Sequence, residues 1–182
     1  MTACAPLPRI HGADSLETAR LVLRVPDSRD SRGLMAFLRS DRARHMGGPM
    51  PADSAWETVA LVLGHWLLNG FGLWAVVPRG SNNAVGTVGC LRPSRWPEGE
   101  IAWHLWDDAA EGYGFASEAA LAARTYAYDK LGWSGAVSYI APDNTRSIQL
   151  AERLGAVCDD AAEHPFDTPC LVYRHPSPEA RQ

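Results

Sequence analysis

The chain has 182 residues, 46% apolar and 21% charged, which fits one globular domain and excludes disordered, collagen-like and coiled-coil chains. Seventeen basic against 21 acidic residues leave a net charge of −4, which speaks against general attraction to nucleic acid or an anionic membrane. The strongest apolar stretch, around Thr58 to Leu68, is broken by Gly64 and His65 and falls short of the roughly 20 residues of a membrane span. No basic segment followed by an apolar core opens the chain, so no signal peptide is expected. Cys4, Cys90, Cys158 and Cys170 are far apart and form no C-x-x-C pair; they read as reduced thiols of a cytoplasmic protein.

Residues 1–17, with Pro6, Pro8 and Gly12, read as a flexible lead-in to a single domain over 18–176, with 177–182 a polar tail. Arg20 to Val25 is rich in branched apolar residues and stops at Pro26, as a strand would. Asp27 or Ser28 can cap a helix whose Leu34, Phe37 and Leu38 share a face. Ser54 and Glu57 have the spacing of a capping box for a second helix, in which Trp56, Val59, Ala60, Leu63 and Leu67 recur at helical spacing. Asn69-Gly70 ends it.

Three strands follow, Leu73 to Val77, Val85 to Leu91 and Glu100 to Trp106. Their connections are too short for parallel crossovers, so the neighbours are antiparallel. A third helix, rich in alanine, runs from near Gly112 to Leu131, and its small side chains suit close packing on a sheet. Val137 to Ile140 is a strand, Asn144 to Leu154 a helix and Cys170 to Tyr173 a final strand. The expected fold is mixed α/β.

Two segments carry chemistry. Glu111 to Ala119, EGYGFASEA, lies directly between a strand and a helix. The first N–H groups of a helix have no partner within it and carry the positive end of its dipole. Gly112, Gly114 and the small Ala116 would let a phosphate or pyrophosphate approach them. No Walker sequence or complete G-x-G-x-x-G is present. In the second segment, Ser138 to Ala156, Asp143 or Asn144 can cap the helix, while Ser147 stands one turn in, on the side that can face a ligand. The histidines show no metal-ligand spacing, and no metal is expected.

Together these segments resemble the GNAT superfamily of acyl-CoA-dependent N-acetyltransferases, especially the branch of the ribosomal-protein N-terminal acetyltransferases. The family's phosphate loop reads Arg/Gln-x-x-Gly-x-Gly/Ala; Gly114 and Ala116 match its fixed positions, and Phe115-Ala-Ser-Glu-Ala119 matches its continuation. Asn144, Ser147, Glu152, Leu154 and Gly155 match the family's Asn-x-x-Ser-x-x-x-x-Glu-x-Leu-Gly run. Thr18-Ala-Arg-Leu-Val-Leu-Arg24 is similar to the branch's first strand. One position departs: the loop opens on Glu111 where the family has Arg or Gln. A carboxylate facing a pyrophosphate is unfavourable, so Glu111 is expected to face solvent while backbone groups bind.

The resemblance implies a largely antiparallel sheet, splayed between its fourth and fifth strands, with helices on both faces. It also implies acetyl-CoA as cosubstrate and an amine as acceptor: a protein N-terminus, an amino sugar, a polyamine or another small metabolite. Leu105 and Trp106 would offer backbone hydrogen bonds to the pantetheine. Residues Gly112, Tyr113, Gly114, Phe115, Ala116 and Ser117 would hold the pyrophosphate, with Asn144 and Ser147 at the thiol end and Ser147 as general acid. Glu100 and His104, which share one strand face with Ala102, are the candidate bases, with Tyr139 nearby; attack by an already neutral amine is the alternative. Residues 42–51 would border the acceptor site. Many relatives pair, so a homodimer is a candidate assembly. A second reading, suggested by Glu111 and by the lack of one unambiguous base, is an acyl-CoA-binding sensor or scaffold without turnover.

Overall fold

The computed structural model describes residues 15–179; most of the expected lead-in and the last three residues of the tail lie outside them. The strands are β1 (Leu16–Glu17), β2 (Leu21–Arg24), β3 (Leu73–Pro78), β4 (Gly86–Leu91), β5 (Glu100–Leu105), β6 (Val137–Ile140), β7 (Val157–Cys158) and β8 (Leu171–Arg174). The helices are α1 (Ser28–Leu38), α2 (Ala52–Asn69), α3 (Phe115–Asp129) and α4 (Thr145–Arg153), with 3-10 turns at Asp41–Met46 and Asp108–Ala110. All eight strands form one sheet in the order β1-β2-β3-β4-β5-β6-β8-β7. Every adjacent pair is antiparallel except β5 and β6. No helix among the described residues is long and apolar enough to cross a membrane.

Strand alternation sends successive side chains to opposite faces, and each face has its own helices. Leu73 and Ala102 pack with Leu34, Phe37 and Leu38 of α1 and with Ala55, Val59 and Val62 of α2. On the other face Trp74, Val76, Val88 and Ile101 meet Ala119, Ala120, Ala123 and Ala127 of α3, all fully buried. Alanines at these positions bring the helix axis close to the sheet, as their spacing predicts, and a larger side chain would overpack the layer.

α1 starts at an N-cap Asp27, whose carboxylate accepts from Arg29 N while Asp30 reaches back to Asp27 N. This is the reciprocal arrangement of a capping box. The one expected at Ser54 and Glu57 does not form. α2 begins three residues earlier, with Pro51 at the N-cap and no side-chain cap, and the Ser54 carbonyl instead accepts from the Thr58 hydroxyl. The buried face of α2 also differs from the expected one: Ala55, Val59, Val62, His65 and Trp66 face inward, while Trp56 is 62% exposed and Leu67 lies outside. α2 is apolar nearly all round, so periodicity alone could not fix its rotation.

β5 and β6 pair at a single position, Glu100 with Val137, supported by Val137 N donating to Gly99 O at 3.0 Å. Just beyond it the Ser138 hydroxyl donates to Ile101 O (2.6 Å) and meets His175 Nε2 (3.0 Å), while Arg124 contacts His175 Nδ1 and donates to Leu154 O. Burial and the neighbouring Arg124 push the His175 imidazole down to about 3, so it is neutral and available to this network. Ser138→Ala removes the donor to Ile101 O from a fully enclosed site. Chemical denaturation should show a loss of about 1–3 kcal/mol, and a loss below a few tenths would mean that the network carries no weight.

Candidate active site

Past Ser138 the two strands diverge, and the gap has a polar edge. Trp106 N donates to Val85 O (2.9 Å), and the β4–β5 register continues from it with Leu105 opposite Gly86 and His104 opposite Thr87. In an antiparallel pair the hydrogen-bonded positions alternate, so His104 and Trp106 spend their backbone groups on β4. Trp103 and Leu105 therefore turn N–H and C=O toward the side that β6 has left. A cleft of about 850 Å³ opens there. It is lined by Trp103, His104 and Leu105 of β5, by residues around the α3 N-terminus, by Asn144 and Ser147 of α4, and by the 3-10 turn at 41–46.

The loop entering α3 is shaped by Gly112 (φ 79°) and Gly114 (φ 76°), a left-handed backbone that favours glycine. The first backbone bond of the helix runs from Glu118 N to Gly114 O (3.1 Å), so the N–H groups of Phe115, Ala116 and Ser117 precede it. Among the described residues no backbone N–H from Gly112 to Ser117 has a hydrogen-bond partner. The Tyr113 carbonyl is drawn out of the way by Arg20 Nη1 (2.7 Å). Arg20 and Thr18 also bind the Glu118 carboxylate at 2.6 Å each, so the two separate sequence matches, Thr18 to Arg24 and Phe115 to Ala119, touch each other. A loop built this way suits an anion.

At the other wall Asn144 caps α4, its Oδ1 accepting from Ser147 N (3.2 Å). The Ser147 oxygen accepts from Trp103 Nε1 (3.1 Å), which leaves the hydroxyl proton free to donate into the cleft. Trp103 is thus the residue that orients Ser147, and nothing in the sequence links the two.

Glu111 does not face solvent as expected. Its carboxylate accepts from Arg42 Nη2 (2.6 Å) and Arg146 Nη1 (2.8 Å), and Arg42 also bonds Asp108 and Leu105 O. Two guanidinium groups thus offset the carboxylates of Glu111 and Asp108, with Arg42 shared between them. The sequence alone points to neither arginine, because each comes from a segment distant from the loop. His45 reaches Asp143 at 3.2 Å across the same mouth.

The cleft brings together His104, Leu105, Gly112, Gly114, Phe115, Ala116, Ser117, Asn144 and Ser147. Three expected residues stand apart. The Trp106 indole lies over Gly33 of α1, among Leu34, Val59 and Val62. The Tyr113 ring stacks on Phe115 and is 60% exposed. Glu100 is only 8% exposed and outside the cleft lining, taking a hydrogen bond from Trp96 Nε1 (2.7 Å) below a cluster of Trp96, Tyr139 and Phe166.

Burial raises the Glu100 carboxyl to about 7, against the opposing hydrogen bonds from Trp96 and the Tyr139 backbone. Burial pushes His104 down to about 4, so its imidazole is neutral at physiological pH. The folded protein keeps a proton on Glu100 that the unfolded chain releases at ordinary carboxylate pH. Its contribution to stability is therefore present in acid and lost as pH rises from about 4.5 to about 7. Glu100→Gln keeps the acceptor for Trp96 and removes that loss. The variant's stability relative to the parent should grow by about 3 kcal/mol between pH 4 and pH 8. A pH-independent difference in thermal unfolding would contradict the shift.

A family model for the acetyltransferase (GNAT) domain matches residues 20–157. An acetyltransferase from Agrobacterium tumefaciens is 33% identical, with 90% of this chain and 95% of that one covered and a TM-score of 0.85. A GNAT-family protein from Bordetella pertussis is 26% identical over 90% of this chain and 99% of its own, with a TM-score of 0.73. The ribosomal L7/L12 α-N-protein acetyltransferase RimL, solved with coenzyme A, shares the fold at 15% identity, a TM-score of 0.69 and coverage of 92% and 99%.

Proposed function

The chain belongs to the GNAT family of acetyltransferases, and from that premise we propose that it moves an acetyl group from acetyl-CoA to a primary amine by direct attack in a ternary complex. The observation that carries this reading is the run of unpartnered N–H groups from Gly112 to Ser117, set beside the edge of β5 that β6 has left. A loop that binds a diphosphate and an edge that binds an amide-containing arm fit the two ends of one cosubstrate. Acetyl-CoA supplies the activated acyl group; the chain's own residues hold it and manage protons.

The N–H groups of residues 112–117 bind the phosphates, and the backbone of Trp103 and Leu105 aligns the arm. Trp106 takes no part in that contact, because its backbone N–H is spent on Val85. Ser147, oriented by Trp103, gives its proton to the departing sulfur. The attacking amine must be neutral. Glu100 has the proton affinity suited to a base, which works best near the operating pH, but it lies outside the cleft lining, so as base it would act only through an intervening water. His104 lies in the cleft but is too weak a base at about 4, so it shapes the acceptor wall together with residues of the 41–46 turn. The acceptor is a protein N-terminus or a small-molecule amine. The described cysteines, Cys90, Cys158 and Cys170, are free thiols, in keeping with a cytoplasmic enzyme.

One observation favours a second reading, an acyl-CoA sensor without turnover: no base candidate both lines the cleft and titrates near neutrality. The test is calorimetric titration with acetyl-CoA, followed by thiol release against a panel of amines. Binding with release establishes the enzyme, and binding without release across the panel favours the sensor. Absence of binding at millimolar acetyl-CoA overturns both. Ser147→Ala should lower kcat by about 10²-fold with the dissociation constant for acetyl-CoA nearly unchanged; an unaltered kcat would remove Ser147 from the mechanism.

A further inference from the structure

The ion pairs at the cleft mouth are unequal. Arg42 is 24% exposed and holds three acceptors, Asp108, Glu111 and the Leu105 carbonyl. Arg146 is 76% exposed, and Glu111 is its one partner among the described residues, with 2.7 Å between Nη1 and Oε2. A solvent-exposed arginine held by one carboxylate is weakly bound and gives way readily to a stronger anion. Arg146 stands in the first turn of α4, which comes after β6, and Glu111 in the loop that comes after β5. Their contact therefore rejoins, at the mouth, the two halves of the sheet that separate beyond Ser138.

We propose that Glu111 is a built-in substitute for a phosphate group, holding Arg146 over the cleft until the diphosphate of the cosubstrate takes that arginine over. The inference rests on the acetyl-CoA reading. Arg42, which Glu111 shares with Asp108, stays on Glu111 during the exchange, so the carboxylate keeps one guanidinium partner beside the incoming anion. Arg146 becomes a phosphate ligand drawn from α4, supplying the positive charge that the loop itself lacks at Glu111. A guanidinium suits this transfer because the same planar donor fork matches carboxylate and phosphate. Cosubstrate binding thereby replaces a contact internal to the chain instead of adding to it.

The exchange has a distinct thermodynamic signature. Calorimetric affinities are compared for the parent, Glu111→Gln, Arg146→Gln and the double variant, each with coenzyme A and with acetyl-pantetheine, which has no diphosphate. Arg146 is exposed and Glu111 half-buried, so circular dichroism checks the fold of each variant. Glu111→Gln is expected to tighten coenzyme A about fivefold and Arg146→Gln to weaken it by a similar factor. In the Arg146→Gln background the effect of Glu111→Gln should largely vanish, and acetyl-pantetheine should bind all four proteins alike. Weaker binding by Glu111→Gln would mean that the Glu111–Arg146 contact persists in the complex, and would overturn the exchange. Equal tightening in both backgrounds would reduce Glu111 to simple repulsion and would overturn it equally. Loss of coenzyme A binding in all four proteins would overturn the acetyl-CoA reading, whereas either of the other adverse results leaves that reading standing.

Discussion

The separation of β5 from β6 is the constraint that shapes the site. Two parallel strands that share one register position, Glu100 with Val137, leave the backbone groups of Trp103 and Leu105 without a strand partner. Buried main-chain polar groups require partners, so an edge opened inside a sheet is stable only where it meets water or a ligand. The opening begins where the Ser138 hydroxyl donates to Ile101 O and His175 secures the serine. That buried network determines how deep the gap runs, and the segment after each strand places the groups that line it. β5 leads into the glycine loop and α3, while β6 leads into Asn144, Ser147 and α4.

Charge at the mouth of the gap is balanced locally. Glu111 would oppose a phosphate if it stood alone, yet Arg42 and Arg146 meet it from two different segments. The 3-10 turn at 41–46 is tied to the loop after β5 through Arg42 and to the turn after β6 through His45 and Asp143. This short segment is thereby tied to both walls of the cleft.

Local patterns in the sequence predict the antiparallel run of β3, β4 and β5, the alanine face of α3 and the glycine-bearing loop, because each follows from a repeat or a turn within a few residues. The 115–119 and 144–155 segments likewise announce their helix starts and Ser147. What the sequence conceals depends on tertiary contact. The rotation of α2 is illegible because Trp56, Leu61, Leu67 and Leu68 are apolar and exposed, so the buried face does not stand out. Trp103 bonds Ser147 across 44 positions and Arg42 bonds Glu111 across 69, distances at which no spacing rule operates. Trp106 and Glu100 are legible as strand residues, but the depth and direction of their side chains are not. Trp106 turns under α1, and Glu100 sinks below Trp96.

Amide hydrogen exchange, read by mass spectrometry with and without coenzyme A, is the sharpest test of where the cosubstrate lies. With coenzyme A along the open edge of β5 and over the loop entering α3, two peptides report its binding. Their amides at Trp103, at Leu105 and from Gly112 to Ser117, unlike that of His104, should exchange in the unliganded protein and become protected on addition of coenzyme A, with β2, β3 and β8 little changed. Protection confined to other segments, or none in these two despite saturating ligand, would contradict that placement.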